Sequence, residues 1–332
     1  MAAAHLVTPE THPLDPALLE RPANDFTLGP GDRLEIELLG DASTHESTQV
    51  GPDGKIYFYI LPGLDVWGLT LPQAGELIVQ ALQKYVRERQ QVAITLRGVE
   101  SKRIWLLGRL NNPGVYPMPG PMTLLEAISL AGGPSSASAY ATFANVSSAG
   151  LKGATGEAGD LQRSFVMRQG RLLPVDFDRL LHDGDLSQNI YLQPDDFVYL
   201  PSAMTQEVHV LGAVMQPRAV PFVDQLSLAQ AIANAGGTIK DAYLSHVAIL
   251  RGSLSAPQIA IIDYKAVVHG QVPDVQLEPH DIVYVPFTPY RTLARYADLI
   301  LDTFARTVGV NEGALAISNS AAPVGVNVQV VP

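Results

Sequence analysis

The feature that most constrains this 332-residue chain is a pattern that occurs twice. Ile104-Trp105-Leu106-Leu107-Gly108, followed by Pro113, Pro117, Leu124, Ala127, Ile128 and Ala131-Gly132-Gly133, corresponds without a gap to Val208-His209-Val210-Leu211-Gly212, Pro217, Pro221, Leu228, Ala231, Ile232 and Ala235-Gly236-Gly237. Further on, Leu192-Gln193-Pro194-Asp195-Asp196-Phe197-Val198-Tyr199-Leu200-Pro201 corresponds to Leu277-Glu278-Pro279-His280-Asp281-Ile282-Val283-Tyr284-Val285-Pro286. A repeat of this length is one folding unit used twice, so residues 101–201 and 202–288 must reach the same fold. In each copy an apolar strand ends at glycine and prolines break the ladder. A capping box (Thr123 with Glu126, Ser227 with Gln230) then opens a short helix that Gly-Gly closes. Each copy is thus a small α+β domain. The first is about nineteen residues longer, and its Gly/Ala/Ser-rich stretch from Asn145 to Ser164 has the composition of a flexible insertion.

Residues 1–24 carry Pro9, Pro13, Pro16 and Pro22 with little periodicity and read as an extended N-terminal arm. Residues 25–100 form a separate unit. After the turn cluster Gly29-Pro30-Gly31-Asp32, Leu34, Ile36 and Leu38 alternate with Arg33, Glu35 and Glu37, which is the period of a half-buried strand. Gly51-Pro52-Asp53-Gly54 opens a second strand, Lys55 to Ile60, and Pro62-Gly63 is expected to close it. Leu71, Ala74, Leu77, Ile78, Ala81, Leu82 and Tyr85 recur at helical spacing behind a Thr70–Gln73 capping box, and Val92 to Leu96 returns as a strand.

The chain exceeds the size of one ordinary core, and 47% hydrophobic residues suffice for several. A formal charge of −11 repels phosphate backbones, so no nucleic-acid partner is expected. The absence of cysteine excludes disulfides, thiolate metal sites and cysteine nucleophiles. No run approaches 18 apolar residues, so no ordinary transmembrane helix is expected. Met1 to Pro22 lacks the basic and apolar regions of a signal peptide; an exported form would have lost its signal, and any lipid-bearing cysteine, ahead of residue 1.

The sequence assembles no catalytic, cofactor or metal constellation. The eight histidines (His5, His12, His45, His182, His209, His246, His269, His280) never take zinc-ligand spacing. His182-Asp183-Gly184-Asp185 falls short of a calcium loop, and Asp195-Asp196 recurs as His280-Asp281 where a turn precedes a strand, so both read as turn chemistry. Gly150 to Glu157 lacks the Gly-Lys-Ser/Thr of a phosphate loop. Trp67 and Trp105 suit the apolar faces of pyranoses, but packing is the simpler role for both.

The run Asp25-Phe26-Thr27-Leu28-Gly29-Pro30-Gly31-Asp32-Arg33-Leu34-Glu35-Ile36, with Val50-Gly51-Pro52-Asp53-Gly54-Lys55-Ile56, Pro62-Gly63 and Gly68-Leu69-Thr70, resembles the polysaccharide biosynthesis/export domain. The two repeats resemble the soluble-ligand-binding β-grasp (SLBB) domains that follow it in outer-membrane polysaccharide export proteins. The resemblance implies a non-enzymatic homo-oligomeric ring of about eight or nine subunits, mostly periplasmic, with a C-terminal α-helical barrel in outer-membrane lipid. It implies capsular or exopolysaccharide as cargo and, as partner, an inner-membrane co-polymerase that often carries a tyrosine kinase. The competing reading is a periplasmic polysaccharide-binding or scaffold protein that never inserts.

Residues 289–317 decide between them, ahead of a flexible tail at 318–332. As a helix, Pro289 to Val308 would span about 30 Å. Arg291, Arg295, Asp298, Asp302 and Arg306 fall on one side, and Leu293, Ala297, Ile300, Leu301, Phe304 and Val308 on the other. In a barrel the first set faces the lumen, the second faces lipid, and Tyr290 anchors the interface. The alternative is a helix packed on its own domain or along a membrane surface. On the barrel reading, removing residues 289–332 should leave a folded, soluble remainder.

Overall fold

The computed structural model describes residues 14–23, 26–39, 41–85, 91–135, 159–203, 206–222, 225–289 and 293–320, with backbone alone for 41–43, 294 and 311–320. Elements of the first unit are β1 (Arg33–Leu38), β2 (Asp41–Gln49), β3 (Lys55–Phe58), β4 (Leu61–Asp65), α1 (Leu71–Leu82) and β5 (Val92–Gly98). β1 lies between β2 and β5, antiparallel to both, and β3–β4 form a separate hairpin. Leu34, Ile36 and Leu38 point inward onto Ala74, Ile78 and Leu82 of α1, so the alternating strand and the amphipathic helix share one core. Asp32 is fully buried and anchors the turn before β1. Its carboxylate accepts from the Gly29, Glu100 and Ser101 amides at 2.9–3.0 Å and from the Ser101 hydroxyl at 2.8 Å. It thereby ties the start of this unit to its end.

Two local expectations differ from the structure. Pro62 and Gly63 lie inside β4, and Tyr59, with φ 53°, makes the hairpin turn instead. The short hairpin tolerates proline because its second strand has an unpaired edge. Asp41 to Gln49 is a nine-residue strand with no apolar alternation. β1 templates it through backbone pairing, helped by the Thr44 hydroxyl, which accepts from the Leu38 amide at 2.9 Å.

The first repeat comprises β6 (Arg103–Gly108), β7 (Gly114–Pro117), α2 (Leu124–Leu130), β8 (Phe165–Arg168), β9 (Arg171–Leu173), α3 (Phe177–Leu181) and β10 (Phe197–Leu200). The second comprises β11 (Glu207–Gly212), β12 (Arg218–Pro221), α4 (Leu228–Asn234), β13 (Val247–Gly252), β14 (Pro257–Ile262), α5 (Tyr264–Val268) and β15 (Ile282–Val285). Their sheet orders are β7-β6-β10-β8-β9 and β12-β11-β15-β13-β14, the same mixed sheet built twice. In both, the first strand pairs parallel to the last, with Leu107 opposite Tyr199 and Leu211 opposite Tyr284. The three capping boxes form as the residue types require. Residues 145–158 of the insertion lie outside the described residues, as do residues 136–144 before it; its described end is not a loose loop, because Leu161–Arg163 form a 3-10 turn and Ser164 is buried ahead of β8.

Leu14 and Leu18 of the arm pack on the core of the first repeat, and the Tyr191 amide donates to the Leu18 carbonyl at 2.8 Å. Residues 1–13 lie outside the described set.

Both repeats bury the same ion pair. Arg168 makes a two-pronged contact with Asp196 at 2.9 and 2.7 Å, and Arg251 makes the same contact with Asp281 at 2.9 and 2.7 Å. Each aspartate also accepts from a backbone amide three residues earlier, Gln193 or Glu278. Both carboxylates are fully buried, so the pairs owe their place to geometry and complete hydrogen bonding. This is the role of the Asp195-Asp196 and His280-Asp281 turns, whose first residues take left-handed φ of 67° and 70°.

Gly108 and Gly212 end the first strand of each repeat with φ of 88° and 86°. A Cβ on either would collide with the carbonyl of the neighbouring last strand, Leu200 or Val285, so both strain and overlap demand glycine. Gly212→Ala should therefore cost about 3 kcal/mol or more in denaturant unfolding. Gly184→Ala, at φ 71° with nothing near its Cβ, should cost only about 1 kcal/mol. Equal losses would show that the carbonyl contact plays no part.

Candidate functional site

Each repeat sheet has two apolar faces. In the first, Ile104, Leu106, Val166, Val198 and Leu200 pack on α2 and α3; in the second, Val208, Val210, Val247, Ile249, Val283 and Val285 pack on α4 and α5. The opposite faces present Leu107, Phe165 and Phe197 from one repeat and Leu211, Ala248, Leu250, Ile282 and Tyr284 from the other. These meet in a shared third core. The repeats are also stitched at its margin: Arg163 Nη1 donates to the His280 carbonyl at 2.5 Å, the Leu254 amide to the Gln162 carbonyl at 3.1 Å, and Ser255 Oγ to Asp176 at 3.0 Å.

Helix α6 (Leu293–Ser320) completes this core and runs twelve residues beyond Val308. Ala297, Ile300, Leu301, Phe304 and Val308 are buried in it, with Leu293 half-buried against it. Tyr296 and Ala305 join them. The face expected to meet lipid thus meets the two sheets of its own chain. The physical reason is that the sheets expose apolar second faces that a helix with one apolar side covers equally well.

The polar side has two kinds of member. Arg295 and Asp298 are exposed. Asp302 is half-buried and accepts from the Leu172 amide at 2.9 Å, while Arg306 Nε donates to the Gly170 carbonyl at 2.6 Å. Those two satisfy backbone groups of the β8–β9 turn and edge strand. Tyr290 and Arg291 lie outside the described residues. Tyr296, whose hydroxyl donates to the His246 carbonyl at 2.8 Å, and His209, edge-to-face with Phe304 at 4.8 Å, belong to the seat although sequence reasoning singled out neither for it. Their signal was present: Tyr296 falls one helical turn before Ile300.

Elsewhere the chemistry is that of folding. Asp185 accepts from the Ser187 amide at 3.0 Å and pairs with Arg179 at 2.5 Å; the Ser187 hydrogen bonds, before Arg179, hold its carboxyl below the usual range. Trp105 is half-buried with the Arg103 guanidinium 5.4 Å above its ring. Among the described residues that line a cleft of about 970 Å³ between α1 and β5, Glu76 is the one charged side chain. Among the described residues no group of three or more His, Asp or Glu side chains is placed to hold a metal. Nor is any described helix long and apolar enough to cross a membrane alone.

Burial pulls the His209 imidazole down to about 4 from its ordinary 6.5, with the Arg163 and His280 charges adding to the effect. The unfolded state therefore binds the proton first. Stability is complete above pH 6.5 and falls as pH drops from there toward 4, by about 2–3 kcal/mol. His280 is displaced in the same direction, chiefly by burial. His209→Phe should flatten the unfolding midpoint between pH 6.5 and 4 relative to the unmodified chain.

Removing α6 would uncover Phe165, Phe197, Leu211 and Tyr284, so the truncated chain should aggregate rather than remain soluble. Ile300, fully buried, should cost about 2–5 kcal/mol as Ile300→Ala. A monodisperse truncated chain with an unchanged melting curve would contradict this seat.

The family model described as polysaccharide biosynthesis/export protein matches residues 20–97, and SLBB domain models match residues 104–154 and 206–285. An EPS I polysaccharide export outer membrane protein from Ralstonia solanacearum is 27% identical over 265 residues, 78% of this chain and 65% of that protein. Its counterpart from Ralstonia nicotianae is 25% identical over 284 residues, 84% of this chain and 69% of that protein. The polysialic acid transport protein KpsD of Escherichia coli is 26% identical over 109 residues, 33% of this chain and 20% of that protein. The chain thus spans about two thirds of the length of the first two relatives. The chain therefore carries one polysaccharide biosynthesis/export domain followed by two SLBB domains, and over most of its length it is similar to polysaccharide export outer membrane proteins.

Proposed function

We propose that the chain is a subunit of a homo-oligomeric conduit that carries capsular or exopolysaccharide across the periplasm and outer membrane. The similarity along 78–84% of the chain to relatives named as polysaccharide export outer membrane proteins carries this reading, and an export domain followed by two SLBB domains supports it. The role is geometric: stacked domains surround a wet lumen, and the glycan passes without bond cleavage. A ring of eight or nine subunits working with an inner-membrane co-polymerase is the form the family resemblance suggests.

In this reading α6 has two homes. Seated, its apolar side covers the sheets. In a barrel, Leu293, Ala297, Ile300, Leu301, Phe304 and Val308 exchange those sheets for lipid, and Arg291, Arg295, Asp298, Asp302 and Arg306 face water in the lumen, with Tyr290 at the interface. The burial of α6 on its own domains favours a second reading, a periplasmic polysaccharide-binding or scaffold protein in which the helix never leaves.

A reversible lock separates the two. The given sequence has no cysteine, so Leu172→Cys with Asp302→Cys, at the site of the 2.9 Å amide–carboxylate contact, introduces the only disulfide possible within one subunit. Export in cells should stop when the pair is oxidised and return on reduction. Undiminished export with the pair fully oxidised would eliminate the barrel and leave the scaffold reading.

A further inference from the structure

We propose that the outer face of the β3–β4 hairpin is a saccharide-stacking platform, with Trp67 and Tyr57 packing against pyranose rings of the transported glycan. The inference rests on the export reading and adds a contact site on this chain. Tyr57 is 59% exposed and Trp67 63% exposed, whereas Ile56, Phe58 and Val66 beside them are buried. The hairpin thus commits Ile56, Phe58 and Val66 to the core and turns the amphipathic aromatics Tyr57, Tyr59 and Trp67 to solvent.

Glycine lies beneath both rings. A Cβ on Gly63 would come within 3.0 Å of the Tyr57 ring, and one on Gly54 within 2.8 Å of Trp67 Cβ and 3.2 Å of its ring. Each ring is thereby laid down on the backbone rather than projecting from it. Between them Lys55 stands opposite Asp65 in the antiparallel register. The surface therefore reads aromatic, charged pair, aromatic, with the two glycine-backed rings roughly 10 Å apart along the strand. One residue past Trp67, Gly68 lines a cleft of about 730 Å³ between the export domain and the first repeat, whose walls include Thr27, Gln73, Lys102 and Gln193.

This alternation fits a sugar chain better than the other surfaces that seek aromatics. A pyranose offers a C–H face to a ring and hydroxyls at its edge to charged and amide groups, so it needs both kinds of neighbour at short intervals. An interfacial membrane anchor would be flanked by basic residues, but residues 51–68 carry Asp53 and Asp65 against Lys55 alone. A subunit contact of this size would favour an unbroken apolar centre, which the Lys55–Asp65 row interrupts.

The test uses the full chain with Trp105→Phe, which leaves Trp67 as the one tryptophan and its emission as the readout. The probe is the exopolysaccharide purified from the producing strain, partially hydrolysed to oligosaccharides, with dextran oligomers as an unrelated glucan. Saturable quenching of Trp67 by the strain's oligosaccharides is expected. Calorimetry with Trp67→Ala and, separately, Tyr57→Ala should show affinity about tenfold weaker, with melting temperatures unchanged. Wild-type affinity in both variants would overturn the platform. So would absence of binding by a chain that supports export in the same strain; that result would leave the export reading intact. Failure of the unmodified chain to support export would instead count against that reading. If the variants shift the oligomer distribution in sedimentation, or abolish flotation with phosphatidylethanolamine/phosphatidylglycerol vesicles, without changing glycan affinity, the face is a subunit or lipid contact and the proposal fails.

Discussion

The repeat sheets are apolar on both faces, and a sheet of that kind must be covered twice. Each repeat covers one face with its own two short helices, and those helices are too small to reach round to the other. The second faces therefore settle against one another and against α6. From that single requirement follow the side-by-side placement of the repeats, the polar stitching at their margin through Arg163 and Ser255, and the burial of Ile300 and Phe304. A chain with one repeat would have no such partner, and a chain with two but no α6 would leave part of the aromatic surface in water.

Within each repeat the buried arginine–aspartate pair has a narrower purpose. It fastens the third strand of the repeat, which carries Arg168 or Arg251, to the turn that launches the last strand. Removing one partner leaves a buried charge, a loss larger than the pair's net gain. Such pairs enforce one register at the point where parallel and antiparallel neighbours of the same strand must both be correct.

Much of this was legible in the residues. Gly108 aligned with Gly212, and the capping boxes at Thr70, Thr123 and Ser227, depend on local geometry and nearest neighbours, which sequence encodes directly. The β2 strand was not legible, because Asp41 to Gln49 acquires its conformation from β1, and from Thr44 to Gln49 Thr44 alone is buried. The Tyr59 turn was hidden behind the stronger signal of Pro62-Gly63. The partner of α6 was hidden for a deeper reason. A helix with one apolar side carries the same pattern whether that side meets lipid or a protein sheet, since both are apolar solvents for it. The packing role expected for Trp67 does not hold, because its ring is largely exposed; composition alone does not tell a packed tryptophan from an exposed one.

The seat also sets the energetic terms on which α6 can leave it. Burial of Ile300, Leu301, Phe304 and Val308 stabilises the seated helix by about 8 kcal/mol in transfer terms, at about 1.5–3 kcal/mol for each side chain. Lipid alone offsets that burial for the helix but not for the vacated sheets, whose Phe165, Phe197 and Tyr284 would still face water. Asp302 and Arg306 would also release the Leu172 amide and Gly170 carbonyl at the edge of β9. A lone subunit thus has no reason to extend its helix. In the conduit proposed above, helix release must be coupled to the arrival of neighbouring subunits, which supply both a new cover for the sheets and a ring in which the charged side of α6 faces water. Insertion is then a consequence of assembly rather than its cause.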